Sequence, residues 1–310
     1  MSKLVYDIRN YCPEDFEEFV HFHREARKTE SSLSPSITWA IAEQLHRPHY
    51  NPTKDLFLAT ASKKIIGYLD VSRETDIRRA VLIGEVHLAE RRKGIATSLL
   101  NHALYYGSAI GIQRAHVNIT EENQAATGLL NKLNFYLVRR YIELSLRLAD
   151  SHIPALSETA LRCRSLRHGE EPALADLQNR AFYGTWGFNP NTEEDIIHCL
   201  KLLGCSPSDI ILLIKDDSTI GYCWTIPYIH KGLAPDDKTS RIHMLGIAPE
   251  YRGQGTGKIL LSAGLRYLKE RERVSVVLTV DSENTTARML YLTAGFKIIS
   301  TSLWYEKRLA

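Results

Sequence analysis

The two halves of the chain carry the same short motifs at a constant spacing. Residues 91–96 read RRKGIA and residues 252–257 read RGQGTG, an offset of 252 − 91 = 161. Further along, residues 122–126 (ENQAA) match residues 283–287 (ENTTA) at the same offset, 283 − 122 = 161. A fixed self-similarity indicates repeated structural units. The sequence therefore predicts a duplication, and 310 residues are enough for two domains of ordinary size.

The two copies differ in length. Residues 66–68 (IGY) match residues 220–222 (IGY) at an offset of 154, seven short of the downstream offset (161 − 154 = 7). The second copy therefore holds seven extra residues between these points, and we predict them in the polar stretch 231–240. The segment 150–159 contains Ser, His and Pro and reads as a linker. The predicted domains are thus 1–150 and 151–310.

Both copies show one order of predicted elements. An early strand and helical stretches precede a hairpin, predicted at 55–71 in the first copy and at 210–226 in the second. A strand, a glycine-bearing turn and an apolar-striped helix follow, and a strand, a short helix and a last strand end the copy. This order predicts an α+β fold with mixed α/β/α layers. Each domain would be a mostly antiparallel mixed sheet flanked by helices.

Composition narrows the classes of function. A net charge of +3, from 39 basic and 36 acidic residues, is too small to indicate a nucleic-acid surface. The longest apolar run, 210–214, is far shorter than a membrane span, and Asp7 and Arg9 interrupt the stretch that a secretory signal needs. The five cysteines show no zinc-type spacing, and their odd number suits a reducing compartment. We therefore predict a cytoplasmic protein with no metal, no nucleic-acid partner and no membrane association.

The turn at residues 252–257 has the features of an anion site. It follows an apolar strand at 244–247 and leads into a helix. Its three glycines let the backbone approach a ligand closely, and the helix N-terminus adds unpaired amides and a positive dipole end. These features suit a pyrophosphate. A glycine-rich turn without a ligand is the alternative, but two matches at corresponding places in a repeat favour the anion site.

A second motif follows in the same copy. Asn284 stands at a predicted strand-to-helix junction, where its amide either caps the helix or contacts a ligand. Tyr291 lies seven residues later (291 − 284 = 7), which is two helical turns and so about the same face. A packed aromatic ring with a solvated hydroxyl is the alternative interpretation of Tyr291.

With these motifs the chain resembles the GNAT superfamily of N-acetyltransferases. The Arg-x-x-Gly-x-Gly turn is similar to that family's acetyl-CoA pyrophosphate loop, and the Asn–Ala–Leu-Tyr–Gly-Phe segment is similar to its second signature. The tandem arrangement is similar to that of the mycothiol synthases, in which the C-terminal half carries the activity. The resemblance implies an acyltransferase (EC 2.3.1 class) that transfers an acetyl group from acetyl-CoA to a primary amine of a small molecule. Transfer would be direct, in a ternary complex.

The resemblance also implies roles for single residues. Tyr291 would protonate the departing thiolate. His243 is the candidate general base, since arylalkylamine N-acetyltransferases resemble this chain in having a histidine there; a structural strand histidine is the alternative. The implied cofactor-binding residues are Leu245, Ile247, Arg252, Gly253, Gln254, Gly255, Thr256, Gly257, Lys258 and Asn284.

The first copy departs from the family pattern. Leu130 takes the place of Tyr291, so this copy lacks the proton donor and is predicted to be degenerate. It keeps most of the turn and is therefore a candidate for a second CoA site. That site would comprise Val86, Arg91, Arg92, Lys93, Gly94, Ile95, Ala96 and Asn123.

The acceptor side is less defined. Arg241 stands where the mycothiol synthases have a glutamate, which speaks against the same acceptor. Residues 182–188 (FYGTWGF) are interpreted either as a mobile apolar wall for a small amine or as domain-interface packing. Two other functions stay open at this point: an aminoacyl transferase of the same fold that uses charged tRNA, and a non-catalytic acyl-CoA-binding regulatory module.

Overall fold

The computed structural model of the chain describes residues 5–27, 35–151, 161–227 and 238–309. The chain divides into two compact units, which we call the first unit (Met1–Arg139 with Ser302–Ala310) and the second unit (Arg140–Thr301). Each unit is a mixed sheet with helices on both faces, which confirms the predicted fold class. Most of the predicted linker and most of the predicted insertion lie outside the described residues.

The elements follow the same order in the two halves. Those of the first half are β1 (Asp7–Asn10), α1 (Phe16–Arg27), α2 (Pro35–Leu45), α3 (Pro52–Asp55), β2 (Leu56–Ala61), β3 (Lys64–Glu74), β4 (Arg79–Val86), α4 (Ile95–Ala109), β5 (Arg114–Thr120), α5 (Gln124–Lys132) and β6 (Tyr136–Arg147). Those of the second half are β7 (Arg162–Ser165), α6 (Glu171–Phe182), α7 (Glu193–Leu202), β8 (Ile210–Lys215), β9 (Ser218–Ile226), β10 (Thr239–Ile247), α8 (Thr256–Glu270), β11 (Ser275–Asp281), α9 (Thr285–Thr293) and β12 (Lys297–Arg308).

The sheet of the first unit has the order β1-β2-β3-β4-β5-β12. Only the β4–β5 pair is parallel, and residues 302–308 of β12 pair with β5. Side chains alternate between the two faces of a strand, so the sheet buries one apolar cluster under α4 and α5 and another under α1 and α2.

The sheet of the second unit has the order β7-β8-β9-β10-β11-β6. Here only β10 and β11 are parallel, and residues 141–147 of β6 pair with β11. One cluster lies under α8 and α9, which supply Leu260, Leu261, Leu265 and Tyr291. The other lies under α6 and α7, which supply Leu174 and Ile196.

The last strand of each predicted copy belongs to the sheet of the other unit, an arrangement that we call the strand exchange. Residues 140–147 fall within the predicted first copy but join the second sheet, and residues 302–308 join the first sheet. A repeat in the sequence shows which segments correspond, but not which sheet a terminal strand completes. The compact units and the predicted copies 1–150 and 151–310 therefore divide the chain at different places.

A buried polar pair is also repeated. The Tyr106 hydroxyl donates to Oδ1 of Asp55 at 2.7 Å, and the Tyr267 hydroxyl donates to Oδ1 of Asp209 at 2.7 Å. These positions are separated by the two offsets found in the sequence, 209 − 55 = 154 and 267 − 106 = 161. The duplication is therefore visible in the hydrogen bonds as well as in the motifs.

We expect the fragment 1–150, made alone, to unfold at lower urea concentration than the same fragment mixed with a peptide of residues 297–309. Without the peptide, β5 lacks its partner strand and His116, 2% exposed, lacks the Glu306 carboxylate at 2.8 Å. A buried imidazole without its hydrogen-bond partner lowers the free energy of unfolding by about 1–3 kcal/mol. Equal unfolding midpoints with and without the peptide would show that the strand exchange adds nothing to stability. A peptide carrying Glu306→Ala is the control.

Candidate active site

A cleft opens where β10 separates from β11. The two strands pair only over residues 239–241, whereas β10 stays paired with β9 as far as Ile247. The amide of Ala248 donates to the Ile220 carbonyl, on the β9 side, at 2.9 Å. Because successive amides of a strand point to opposite sides, the amides of Leu245 and Ile247 point into the cleft. Backbone donors there are placed to hold a carbonyl oxygen.

A β-bulge lies in β10 beside this cleft. Ile242 pairs with Thr225 and Met244 pairs with Trp224, so His243 is an extra residue with no partner on β9. In the first unit β3 and β4 pair without such a shift. One of the seven extra residues of the second copy is therefore His243, and the prediction that all of them lie at 231–240 was wrong. Bulges redirect side chains and are frequent beside active sites.

The predicted pyrophosphate turn forms a cradle of backbone amides. Gly253 has φ 73° and Gly255 has φ 78°, conformations that favour glycine. None of the amides of residues 253–257 donates to an acceptor among the described residues. The side chains of Gln254 and Thr256 donate back to the carbonyls of residues 250 and 251 and stay clear of the amides. Five free amides at the start of α8 make a concave anion-binding surface.

The Arg252 side chain fixes the position of this turn through two hydrogen bonds to backbone carbonyls. Its Nε donates to the Ile247 carbonyl at 3.1 Å, and its Nη2 donates to the Ala181 carbonyl at the end of α6. The guanidinium thus ties the turn to β10 and to α6. Lys258 lies in the first turn of α8 and is exposed.

Tyr291 lies in α9 within the apolar cluster that also contains Ile247. Its side chain is 7% exposed, and its ring packs edge-on against Phe296 with centroids 5.8 Å apart. Burial raises the pKa of Tyr291 well above its ordinary value, with a smaller contribution from Cys223. The phenol is therefore protonated at neutral and mildly alkaline pH. Among the described residues nothing hydrogen-bonds to its hydroxyl.

Asn284 begins α9 as a helix cap. Its Oδ1 accepts a hydrogen bond from the amide of Ala287 at 3.1 Å, as the capping alternative predicts. Its NH2 group has no acceptor among the described residues and stays able to donate to a ligand. A Cβ on Gly257 would stand 3.4 Å from Leu290, so α9 lies directly against the start of α8. The cradle and Tyr291 are thus on two helices in contact.

His243 faces the side of the sheet that α6 and α7 cover. Its ring lies edge-on to Trp224 at 5.4 Å, and its Nε2 is 3.8 Å from Sγ of Cys199. His243 is an exposed residue, yet its ring lies against Trp224 and Cys199, and the resulting desolvation together with the charge of Arg241 lowers its pKa to about 4. The same burial raises the pKa of the Cys199 thiol to about 11. Both groups are therefore neutral at pH 7, and the pair is not a thiolate–imidazolium nucleophile.

We expect the imidazole of His243 to titrate near pH 4 rather than near 6.5. The measurement is a proton–carbon NMR titration of the histidine side chains, with the resonance assigned from the variant His243→Gln. Because the pKa is lowered, the ring stays neutral from alkaline pH down to about pH 5. A midpoint between pH 6 and 7 would contradict the desolvated environment. His168, whose side chain is 91% exposed, is the internal control.

On the same face, an ion pair joins β10 to β6. Nη2 of Arg241 donates to Oε1 of Glu143 at 2.5 Å, and its Nη1 donates to the hydroxyl of Thr279 at 3.1 Å. Sequence reasoning missed Glu143, because β6 lies within the predicted first copy. Only the strand exchange brings this carboxylate to the second unit.

The aromatic segment after α6 packs against the second unit itself. The ring of Trp186 lies 6.0 Å from that of Tyr141 in β6, and Phe182 packs on Gly246, where a Cβ would be 3.1 Å from its ring. Tyr183 is 80% exposed and meets Phe188 edge-on at 5.9 Å. Part of the predicted wall thus flanks the cleft strand.

The first unit has the same cradle without the acid. Arg92 and Gly94 have φ 65° and 85°, and the amides of residues 92–96 find no acceptor in the described part of the chain. Nε of Arg91 donates to the Val86 carbonyl at 3.1 Å, as Arg252 does in the second unit. The remaining predicted residues follow the same plan: Lys93 pairs with Glu90, Ile95 and Ala96 begin α4, Asn123 caps α5, and the buried Leu130 replaces the tyrosine.

Two stretches of the chain, residues 16–135 and 171–296, match the sequence model of the acetyltransferase (GNAT) family. The chain belongs to this family. The two matches fall on the two predicted copies, so the chain is a tandem GNAT protein and an acyltransferase, as predicted.

Several relatives of this GNAT protein are mycothiol acetyltransferases. That of Stackebrandtia nassauensis is 27% identical over 83% of this chain and 84% of its own length. That of Cellulomonas flavigena is 26% identical over 79% of this chain and 71% of its own length. Among solved structures, a tandem GNAT protein from the clavulanic acid biosynthesis pathway superimposes with a TM-score of 0.72 over 98% of both chains at 13% identity. A GCN5-related N-acetyltransferase from Sphaerobacter thermophilus gives 0.69 over 98% of this chain and 95% of its own, at 18% identity.

The described residues of the GNAT protein include no helix with the length and apolar character of a membrane span. They also include no group of three or more His, Cys, Asp or Glu side chains that could hold a metal ion.

Proposed function

We propose that the chain transfers the acetyl group of acetyl-CoA to a primary amine of a small molecule, in a ternary complex, and that the second unit carries the reaction. One observation carries this proposal: the free amides of residues 253–257 lie at the start of α8, against the helix that bears the buried, protonated Tyr291. The proposed pyrophosphate site and the proposed proton donor thus belong to one pair of helices in contact. The cytosol stays the predicted location.

The chemistry of the donor groups fits acetyl-CoA. Amides 253–257, with the exposed Lys258 of α8, suit a pyrophosphate. The cleft-facing amides of Leu245 and Ile247 suit the pantetheine arm and the thioester carbonyl, whose oxygen gains negative charge during acyl transfer. The NH2 group of Asn284 adds a donor at the start of α9. Acetyl-CoA supplies the activated acyl group, and the protein holds it next to the acceptor.

The reaction needs a neutral amine and a protonated leaving group. The ammonium form of the acceptor first gives one proton to solvent. The C–N bond then forms as the C–S bond breaks; the thiolate takes the phenolic proton of Tyr291, and the proton that the nitrogen loses on acylation restores the phenol. A phenol is a reasonable acid for a thiolate. With its pKa near 4, His243 is a weak base, so its proposed part is to accept a hydrogen bond from the amine as a neutral imidazole.

The acceptor is proposed to differ from that of the relatives. They are named mycothiol acetyltransferases, but the resemblance to the mycothiol synthases implies a glutamate at the position where this chain has Arg241. A cation in place of an anion reverses the charge offered to the acceptor. The first unit, with its cradle but with Leu130 in place of the tyrosine, is proposed to bind CoA without turnover. The alternative of a non-catalytic acyl-CoA-binding module thus fits the first unit alone. The alternative of a tRNA-dependent transferase is less favoured, because such an enzyme would not need a cradle for pyrophosphate.

The test is a calorimetric titration with acetyl-CoA, followed by an amine panel read by thiol release. We expect micromolar affinity, with two equivalents per chain if the first unit also binds. Saturable binding with thiol release that depends on an amine supports the proposal. No binding at high protein and ligand concentration would refute the cofactor assignment and the function with it.

A further inference from the structure

The proposed function leaves the face of the sheet opposite Tyr291 as the acceptor side of the cleft. Tyr291 lies in the cluster under α8 and α9, together with Ile242, Leu144 and Leu278. Side chains alternate along a strand, so the sequence neighbours of these three strand residues point to the other face, which α6 and α7 cover. These neighbours are Arg241, Glu143 and Thr279. The polar groups of the acceptor side therefore come from three adjacent strands, β10, β6 and β11.

The Arg241–Glu143 pair stands where the cleft begins. The pairing of β10 with β11 ends at Arg241, so the strands separate immediately beyond this residue. Tyr141 lies two residues before Glu143 and therefore on the same face of β6. Its ring packs against the ring of Trp186. The pair is thus bordered by the opening of the cleft on one side and by an aromatic wall on the other.

The pair is not saturated by its protein partners. Besides the bond to Arg241, Glu143 accepts only from the Ser300 hydroxyl, at 3.2 Å on Oε2, among the described residues. Arg241 uses Nη1 and Nη2 for Thr279 and Glu143, and its guanidinium has five N–H donors in all. The two side chains are 26% and 25% exposed. Each therefore keeps hydrogen-bonding capacity and a surface that solvent, or a substrate, can reach.

On the basis of the proposed function, we propose that this pair is the acceptor subsite and selects amines that carry a carboxylate next to the amino group, as α-amino acids do. Glu143 binds the ammonium group before it loses its proton, and Arg241 binds the carboxylate. A site with opposite charges in contact matches a zwitterion whose charges are equally close. A site with a glutamate but no arginine would instead favour an amine without a carboxylate, because no cation of the protein would pair with the carboxylate of the substrate.

The test compares three acceptors of one side chain: leucine, leucinamide and isoamylamine. We expect wild-type kcat/KM to be at least about tenfold higher for leucine than for the two acceptors without a carboxylate. Arg241→Gln should lower kcat/KM for leucine by roughly tenfold or more while leaving the other two nearly unchanged. Arg241→Lys should keep part of the preference. Glu143→Gln should lower kcat/KM for all three, since each of them has the ammonium group.

The control is Arg147→Gln, which removes an exposed arginine from the end of the same strand as Glu143. Thermal unfolding of every variant separates a loss of structure from a loss of specificity. Equal loss on all three acceptors in Arg241→Gln, or a wild-type preference for isoamylamine, would overturn the inference and leave the proposed function standing. Absence of acetylation of any amine by a protein that binds acetyl-CoA would overturn both.

Discussion

Tyr291→Phe will lower kcat on the order of a hundredfold and leave the affinity for acetyl-CoA nearly unchanged. The hydroxyl is the only group removed, and the ring still fills its place against Phe296. Without it the thiolate leaves unprotonated or takes a proton from water. Because burial raises the pKa of Tyr291 well above its ordinary value, the acid form persists as pH rises. Wild-type kcat should therefore not decline between pH 8 and 10 through loss of this proton.

The matched control for this variant is Tyr305→Phe. Tyr305 is 5% exposed in the core of the first unit, so it is as buried as Tyr291 but belongs to the unit that lacks the proposed acid. We expect its kcat to stay within about twofold of the wild type. If Tyr291→Phe turns over like the control, the hydroxyl is not the acid and another donor protonates the thiolate.

Gly255→Asp should weaken acetyl-CoA binding to the second unit by at least about a hundredfold, ~2.7 kcal/mol. A Cβ at Gly255 meets no atom within 4 Å, and Asp tolerates positive φ better than most residues, so the fold should survive. The new carboxylate would stand among the amides that receive the pyrophosphate. Repulsion of like charges then opposes binding, and calorimetric titration measures the loss.

Gly94→Asp makes the same change in the first unit. Gly94 has φ 85° and also has no atom within 4 Å of its Cβ position, so the two variants match in strain and in charge. We expect Gly255→Asp to abolish turnover and Gly94→Asp to remove at most one equivalent of bound acetyl-CoA while turnover continues. The opposite result would place the reaction in the first unit.

Local features of the site could be predicted from the sequence. The cradle depends on Gly253 and Gly255, whose conformations few other residues adopt, so the motif nearly determines the backbone. Tyr291 follows from Asn284 by helical spacing, and α9 keeps that spacing. Both depend only on residues close to each other in the chain.

Features that depend on distant pairing could not be predicted in this way. Glu143 reaches the acceptor side only because β6 pairs with β11, where Glu143 lies opposite Thr279, 136 residues further along the chain (279 − 143 = 136). The bulge at His243 adds one residue to a strand and leaves no motif in the sequence. The resemblance implies that Arg252 binds the cofactor, but its Nε and Nη2 donate to the carbonyls of Ile247 and Ala181, contacts that only the folded chain makes.

The exchange of last strands also fixes an order of events during synthesis. The first sheet is made first but completed last, because β5 ends at Thr120 and its partner begins at Ser302, 182 residues later (302 − 120 = 182). At about 5–20 residues per second, the ribosome needs roughly 10–40 s to make the intervening chain. For that interval the edge of β5 is an open template for any strand. A nascent chain that stalls in its second half would therefore present an unfinished sheet, which makes it a natural target for chaperones.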